Sequence, residues 1–236
     1  MSPAISTLDQ RLAEVRHRLE AAATRAGRDP ADVQLVLVTK SAPAGVFELA
    51  RAAGVRDVGE SRVQAGLARR AGREAHFRWH LVGSLQSNKA RAAVGAFHVL
   101  HGVDSVALLQ RIERAAMELG RHPELYLQVN VSGEASKHGF APADLPGALE
   151  AACALRHARL RGLMTMAPAS ASASAVRSVF AGLRTLRDRL APRLPGLSMG
   201  MSDDFELAVE EGATCVRIGR QLVADLPELA GLERHA

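Results

Sequence analysis

The stretch Val36-Leu37-Val38-Thr39-Lys40 decides how the rest of the chain is interpreted. Its apolar run predicts a short buried strand that ends in a lysine. Because side chains alternate along a strand, Lys40 shares a face with Val36 and Val38, and its amine ends an otherwise apolar row. A primary amine forms a Schiff base with a carbonyl compound, whereas a guanidinium does not, so Lys40 is a candidate for covalent chemistry. The alternative is an ordinary lysine that extends from a strand end into solvent.

The use of basic residues strengthens the interest in Lys40. The chain has 27 arginines and only three lysines, at positions 40, 89 and 137. Positive charge is therefore supplied almost entirely by arginine, and a retained lysine indicates a position where the amine itself matters. Lys89 and Lys137 fall in predicted loops or helix starts, where either could bind a phosphate as a point charge.

Composition limits the functional classes that need to be considered. With 236 residues, 47% of them apolar, the chain is predicted to form one large globular domain of a size typical of α/β barrels. A net charge of +5 permits contact with nucleic acid, but one Trp, one Tyr and six Phe offer few rings for stacking on bases. We therefore expect no nucleic-acid binding.

Cysteine usage and hydropathy give further expectations. Cys153 and Cys215 are too few and too far apart to predict a disulfide framework or a metal site, and both are expected to be buried thiols. No apolar N-terminal run or long hydrophobic span is present, so we expect a soluble cytoplasmic protein without membrane contact. The Ala/Ser run 167–175 predicts a flexible loop.

Hydrophobic periodicity predicts eight strands that alternate with helices, preceded by an extra helix over Thr7–Ala26. Eight such strands are typical of a single (β/α)8 TIM-type barrel, whereas an open doubly wound sheet usually has fewer strands over this length. The predicted strands are Gln34–Thr39, Arg56–Glu60, Phe77–Val82, Phe97–His101, Leu125–Val131, Leu160–Met166, Leu197–Met199 and Thr214–Ile218.

In such a barrel, functional residues gather at the carboxyl ends of the strands. Six residues are predicted to lie there: Lys40, Glu60, Gly83, Ser132, Ser202 and Gly219. Phosphate sites in barrels are often built by the loops after strands seven and eight, and the segments 198–204 and 216–220 occupy those two places. Ser202 or Asp203 can cap the helix that follows strand seven, where free amides favour an anion.

Two further positions are predicted to face the barrel interior. Arg217 shares a strand face with Cys215 and Gly219, so its buried guanidinium needs either a ligand atom or an ion pair with Glu60. On strand five, Asn130 lies nearest the carboxyl end of a polar face that also carries Tyr126 and Gln128.

Taken together, these segments resemble the pyridoxal phosphate homeostasis proteins, which are single-domain relatives of the alanine racemase barrel. The resemblance covers nearly the whole chain in order. The motifs that carry it are Val38-Thr39-Lys40, Gly59-Glu60-Ser61-Arg62-Val63-Gln64, Trp79-His80-Leu81-Val82-Gly83-Ser84-Leu85-Gln86-Ser87-Asn88-Lys89, Gln128-Val129-Asn130-Val131-Ser132, Gly162-Leu163-Met164, Ser198-Met199-Gly200-Met201-Ser202-Asp203-Asp204 and Val216-Arg217-Ile218-Gly219.

The resemblance implies that residues 1–236 form one domain that binds pyridoxal 5′-phosphate (PLP) as a Schiff base on Lys40. It implies that Ser202 and the backbone amides of Gly219 and Arg220 hold the phosphate, and that Arg217 faces the pyridine nitrogen. It also implies that Ser61, Asn130 and Met199 are cofactor-binding positions.

The chain departs from the family pattern at three places. Ser61 stands where the family usually has Asn, and Arg220 replaces the usual Thr after Arg217-Ile218-Gly219. The segment 221–224 lacks the common Phe-Gly ending. These departures are expected to change the affinity for PLP rather than the identity of the cofactor.

An arginine on the pyridine nitrogen keeps that nitrogen unprotonated and weakens the ring as an electron sink. Racemisation would also need proton-transfer groups on both ring faces, and the only tyrosine, Tyr126, is predicted to lie deep in strand five. The resemblance implies that racemases take this tyrosine from an additional β domain, and no such domain is expected here. We therefore expect a non-catalytic, monomeric PLP carrier that stores, buffers or delivers PLP to PLP-dependent apoenzymes.

Two alternatives remain open at this stage. One is a PLP-dependent amino-acid racemase in which water, His80 or another group is the second base. The other is a cofactor-free aldolase-type barrel that uses Lys40 directly on a carbonyl substrate.

Overall fold

A computed structural model describes residues 3–134 and 137–226. Eight parallel strands hydrogen bond in chain order, and the eighth pairs with the first, which closes the barrel. The strands are β1 (Gln34–Val38), β2 (Asp57–Glu60), β3 (Arg78–Ser84), β4 (Val99–Val103), β5 (Glu124–Gln128), β6 (Arg159–Met164), β7 (Gly196–Ser198) and β8 (Cys215–Ile218). The predicted TIM-type barrel is confirmed.

Helices connect consecutive strands on the outside of the barrel, as right-handed parallel crossovers require. They are α1 (Pro3–Arg25), α2 (Val46–Ala52), α3 (Val63–Arg70), α4 (Ala90–Ala96), α5 (Val106–Leu119), α6 (Leu145–Cys153), α7 (Ala173–Leu190), α8 (Phe205–Glu210) and α9 (Arg220–Val223). No helix within the described ranges is long and apolar enough to cross a membrane.

Helix α1 is the predicted extra N-terminal helix, and it begins at Pro3 rather than Thr7. Its apolar stripe is almost completely buried, which explains the helical spacing seen in the sequence. The helix packs against α8, and Arg18 forms an ion pair of 2.8 Å with Glu206 there. The stripe consists of Leu8, Leu12, Val15 and Leu19.

Most of the hydrophobic core lies between the strands and the surrounding helices. On β5, Leu125 and Leu127 belong to this outer core, whereas Tyr126 packs inside the barrel with Val99 and Met164. The alternation predicted for strand five is therefore correct, but the strand ends at Gln128 instead of residue 131.

The turn after β7 depends on a glycine. Gly200 has φ +95°, a conformation that side-chain-bearing residues rarely adopt, and an added Cβ would lie 2.6 Å from Ala208 Cβ. The chain can therefore turn sharply after the strand and pack closely on α8. This turn places Ser202 at the carboxyl end of the barrel.

Two expectations need correction or remain open. Cys215 is buried as predicted, but Cys153 is exposed because it lies at the end of α6, away from the core. The single domain predicted over 1–236 stays a prediction, since residues 1–2, 135–136 and 227–236 lie outside the described residues.

Candidate functional site

A cavity of about 750 Å³ opens at the carboxyl end of the barrel. Loops that follow several strands line it, which is where barrel enzymes and binding proteins place their sites. Six of the eight predicted site residues contribute to its wall: Lys40, Ser61, Ser202, Arg217, Gly219 and Arg220.

Lys40 lies two residues beyond the end of β1, beside Val38 in the cavity wall. The residue is exposed. Within the ranges that the structure describes, its amine forms no hydrogen bond or ion pair with a protein group. The amine is therefore available to a ligand.

Ser61 follows β2 and is held in place by a close backbone contact. A Cβ added to Gly83 would lie 2.2 Å from the carbonyl oxygen of Ser61, so only glycine permits this approach. The loops after β2 and β3 are therefore packed tightly, and both residues line the cavity.

Glu60 is fully buried at the end of β2, next to the cavity. Thr39 Oγ1 donates to Glu60 Oε1 at 2.5 Å, and Arg69 Nε lies 3.1 Å from the same oxygen. Burial raises the pKa of Glu60, more than the Thr39 hydrogen bond and the Arg69 charge lower it. The ion pair between Glu60 and Arg217, one of the two predicted options, was wrong, because Arg69 reaches Glu60 from helix α3.

Arg217 projects from β8 into the barrel interior at the floor of the cavity and is 4% exposed. Its Nη1 donates to Ser198 Oγ on β7, and its Nη2 donates to the carbonyl of Thr165 at 3.2 Å. Burial lowers the pKa of this guanidinium from its ordinary value. The protein thus fixes Arg217 by two hydrogen bonds rather than by a carboxylate.

Ser202 occupies the corner between the loops after β7 and β8. The amide of Gln221 lies 3.4 Å from Ser202 Oγ, and Gln221 Nε2 donates to the carbonyl of Ser202 at 2.7 Å. Gly219 precedes α9, whose first amides have no acceptor inside the helix. Hydroxyl and amide donors therefore converge on this corner.

Neither Ser202 nor Asp203 caps the following helix, so that prediction was wrong. Asp204 occupies the N-cap position of α8, and its Oδ1 accepts from the amide of Met201 at 2.6 Å. The extra residue in the turn leaves the hydroxyl of Ser202 next to the cavity instead of next to the helix.

Arg220 directs its charge to the rim. Its Nη2 contacts Asp203 Oδ2 in an ion pair whose side chains are 70% and 75% exposed. The guanidinium charge is therefore balanced by a carboxylate at the exposed edge of the cavity.

Asn130 and Met199, the other two predicted site residues, do not line the cavity. Asn130 lies beyond the end of β5, and its side chain closes a loop by bonding the carbonyls of Glu134 (2.9 Å) and Lys137 (3.4 Å). Met199 is fully buried in the outer core. Both residues lie just beyond the ends of their strands, β5 and β7, where the alternation of side chains no longer predicts whether a residue faces the cavity.

One wall of the cavity was not predicted from the sequence. The segment 166–173, which follows β6, lines it, although the Ala/Ser run was expected only to be a flexible loop. Helix α7 begins inside that run, with Ser172 at its N-cap accepting from the amide of Ala175. Its position after a strand end was the available signal. The residues of this wall are Met166, Ala167, Pro168, Ala169, Ala171 and Ala173.

Comparison with known proteins agrees with this geometry. A family model of the alanine racemase N-terminal domain matches residues 10–227. The pyridoxal phosphate homeostasis protein of Pseudomonas aeruginosa is 46% identical over 220 residues, which cover 92% of this chain and 95% of that protein. The chain belongs to the pyridoxal phosphate homeostasis protein family. The family's protein in Aquifex aeolicus is 37% identical over 221 residues, which cover 92% and 97% of the two chains.

Solved structures share the barrel fold of this chain. PipY of Synechococcus elongatus, solved with PLP bound, is 42% identical, covers 92% of this chain and 99% of its own, and superposes with a TM-score of 0.80. The alanine racemase of Clostridium difficile covers 92% of this chain and 56% of its own at 15% identity, with a TM-score of 0.70. That second likeness concerns the barrel fold alone.

Proposed function

We propose that this protein binds PLP in the cavity at the carboxyl end of the barrel, holds it covalently on Lys40, and stores, buffers or delivers it. The observation that carries the proposal is that one cavity joins three features: an amine with no hydrogen bond or ion pair among the described residues, a buried guanidinium, and a corner of hydroxyl and amide donors. A volume of about 750 Å³ is in the range of small-molecule sites.

The residues present fit the chemical groups of PLP. Ser202 Oγ and the amides of Gly219 and Arg220 supply donors for a phosphate between the loops after β7 and β8. Ser61 and Gly83 form the opposite wall next to Lys40. When bound, PLP supplies an aldehyde that reacts with amines.

Lys40 supplies the amine for that reaction. Condensation of its Nζ with the aldehyde forms a C=N bond and releases water, and hydrolysis reverses the step. The exposure of Lys40 leaves the bond accessible to water and to competing amines. That accessibility suits a protein that must give its ligand up.

Arg217 is suited to face the pyridine nitrogen. A guanidinium has five N–H donors, and Ser198 and Thr165 use one each, so others remain for a ligand. Because an arginine does not supply a proton to the ring, the ring stays a weak electron sink. This arrangement favours binding over catalysis.

The position of Tyr126 also supports a carrier rather than a racemase. The side chain is 3% exposed and stacks on His101, with 4.7 Å between ring centroids. Burial raises the pKa of its phenol, so the phenolate that could accept a proton is scarce at neutral pH. Tyr126 does not line the cavity, whereas a second proton-transfer group would have to reach the ligand there.

The wider role is part of the same proposal. We propose that the protein acts as a cytoplasmic monomer that passes PLP to PLP-dependent apoenzymes. Sedimentation of the purified protein would test the monomer, and transfer of PLP to an added apoenzyme, followed by the recovery of that enzyme's activity, would test delivery.

The primary test is the visible absorption spectrum of the purified protein with PLP, followed by borohydride reduction and peptide mapping. We expect an absorption band that reduction removes, and a reduced label on Lys40 alone among the three lysines. A label on Lys89 or Lys137, or no band with added PLP, would contradict the proposal. Turnover of alanine or another amino acid by the loaded protein would favour the racemase instead.

A further inference from the structure

We propose that Asp57, at the end of the barrel opposite the cavity, positions Arg217 through a chain of hydrogen bonds that runs across the barrel interior and in which every donor points towards Asp57. The effect of this hydrogen-bond chain on PLP binding rests on the proposed function, whereas the hydrogen-bond chain itself is a property of the protein without ligand. Asp57 begins β2, and Glu60 ends it beside the cavity, about 10 Å further along the strand.

The hydrogen-bond chain crosses the barrel interior through five residues, one on each of β2, β3, β4, β7 and β8. Asp57 Oδ1 lies 2.9 Å from His80 Nε2, and His80 Nδ1 lies 3.0 Å from His101 Nε2. His101 Nδ1 lies 2.8 Å from Ser198 Oγ, which accepts from Arg217 Nη1. Every member is joined to the next by atoms within hydrogen-bond distance.

The two ends of the chain fix the direction of every bond between them. Arg217 can only donate, and an ionised Asp57 can only accept. If both imidazoles are neutral, His80 carries its proton on Nε2 and must accept on Nδ1. His101 then carries its proton on Nε2 and must accept on Nδ1 from Ser198. All four bonds therefore point from Arg217 towards Asp57.

Burial supports the neutral form of both imidazoles. His80 is 1% exposed and His101 is fully buried, and burial lowers the pKa of each, well below the ordinary value for His101. Burial acts to raise the pKa of Asp57, but the interactions with His80, Gln34 and Arg78 together outweigh it, so the pKa lies below its ordinary value.

Charged groups on neighbouring strands also act on the two histidines, and the charges of Arg217 and Arg78 lower the pKa of His101 further. Arg78 and Glu124 act on His80 from β3 and β5, with opposite effects on its charge. Tyr126 stacks on His101, and Cys215, whose burial raises its pKa to about 11, lies beside Ser198. The chain therefore keeps one order of protons at neutral pH.

This order matters for Arg217 because hydrogen bonds in a buried series polarise one another. The anion at one end draws the proton of each donor in its direction, which leaves more negative charge on Ser198 Oγ. A stronger acceptor at Ser198 holds Nη1 more firmly, while Thr165 holds Nη2. The guanidinium is then fixed at the cavity floor before a ligand arrives.

The first arm of the test uses ¹⁵N-labelled protein without PLP, with His80 and His101 assigned from the His80→Gln and His101→Gln variants. We expect two-bond ¹H–¹⁵N spectra at pH 7 to show both rings neutral with the proton on Nε2. Asp57→Ala should shift His101, which Asp57 does not touch, towards the Nδ1–H tautomer. Asp57→Asn keeps an acceptor oxygen and should retain the wild-type spectrum.

The second arm measures PLP affinity by spectral titration, with thermal unfolding recorded for each variant. Asp57→Ala should weaken PLP binding about three- to tenfold, because Ser198 Oγ becomes a weaker acceptor for Arg217 when the anion at the end of the hydrogen-bond chain is removed. Glu124→Ala, which removes a carboxylate at the same end of the barrel but outside the chain, should bind like the wild type.

The proposed order of hydrogen bonds would be refuted by an Nδ1–H or doubly protonated ring in the wild type. It would also be refuted if the His101 tautomer did not change in Asp57→Ala. Unchanged PLP affinity in Asp57→Ala, or an equal loss in Glu124→Ala, would overturn its positioning role. A wild type that binds no PLP would refute the proposed function, and the tautomers would still decide whether the chain exists.

Discussion

The two ends of the barrel differ in whether their charged groups have partners within the protein. At the amino end, Glu113 accepts from the amides of residues 156–158 and from the ring of His157. Glu124 at the start of β5 lies 2.7 Å from Arg78 and 3.7 Å from Arg161. These carboxylates are satisfied by the protein itself, so their interactions contribute to the free energy of folding.

At the carboxyl end, polar groups are left available. The amine of Lys40 and Oε2 of the buried Glu60 have no hydrogen-bond partner among the described residues. Buried or positioned polar groups without partners cost stability and are retained where a ligand satisfies them. Substitutions at the cavity should therefore change binding, whereas substitutions at Glu113 and Glu124, which lie at the amino end but outside the hydrogen-bond chain from Asp57, should change stability.

The largest expected effect is the loss of retained PLP in Lys40→Ala. Because Lys40 is exposed and has no partner among the described residues, its removal should change the free energy of unfolding by less than about 0.5 kcal/mol. The measurement is the borohydride-trapped label together with a thermal melt. Lys89→Ala is the control and should keep the label. A clear loss of stability in Lys40→Ala would contradict the expectation that cavity residues affect binding and not stability.

At the amino end, Glu113→Gln should lower the free energy of unfolding by about 1–3 kcal/mol, because charge-assisted hydrogen bonds are lost. PLP affinity should stay within twofold. Glu118→Gln, on the same helix but in an exposed ion pair with Arg91, is the control and should cost less than about 1 kcal/mol. Denaturant unfolding and PLP titration check both parts, and a loss of PLP binding in Glu113→Gln would contradict the division.

The same residue gives a prediction on pH. Burial acts to raise the pKa of Glu113, but backbone and His157 hydrogen bonds lower it to about 2 from an ordinary 4.5. A depressed folded-state pKa means that this stabilisation is fully present above about pH 4.5 and is lost as the pH falls towards 2. Between those values, unfolding of the wild type should depend on pH more steeply than that of Glu113→Gln. Equal slopes would show that Glu113 is not responsible.

A smaller effect is expected for Gln221→Ala, since Gln221 ties the loops after β7 and β8 together through Ser202. Loosening this corner should weaken PLP binding about fivefold, equivalent to roughly 1 kcal/mol. Titration of Gln110→Ala, an exposed glutamine on α5, provides the control. Unchanged affinity in Gln221→Ala would mean that the corner does not hold the phosphate.

The smallest effect is expected for Arg220→Ala. Its ion pair with Asp203 is exposed at the rim, and such pairs contribute about 0–1 kcal/mol. PLP affinity should change less than about threefold, and the difference should shrink as salt screens the pair. Arg91→Ala, in another exposed ion pair, is the control. A tenfold change at high salt would show that the Arg220 side chain contacts the ligand directly.

The sequence predicted the order of the strands because apolar runs and helical spacing are local patterns. It also predicted Lys40, Ser202, Arg217 and Gly219 as a group, since parallel strands bring their carboxyl ends together, and its family resemblance added Ser61 and Arg220; all six line the cavity. It placed Asn130 and Met199 in that group as well. Neither lines the cavity, because the side chain of Asn130 bonds its own loop beyond the end of β5 and Met199 packs in the outer core. Their role in cofactor binding stays a prediction.

The sequence by itself determined the barrel, its first helix and the lysine at the end of β1, because burial patterns and strand ends are encoded over a few neighbouring residues. Only the tertiary structure decided which side chains meet across the interior. Arg217 contacts Ser198 rather than Glu60, and His80 contacts His101. These pairs depend on the stagger between strands that closure of the barrel imposes, and that stagger has no local signature in the sequence.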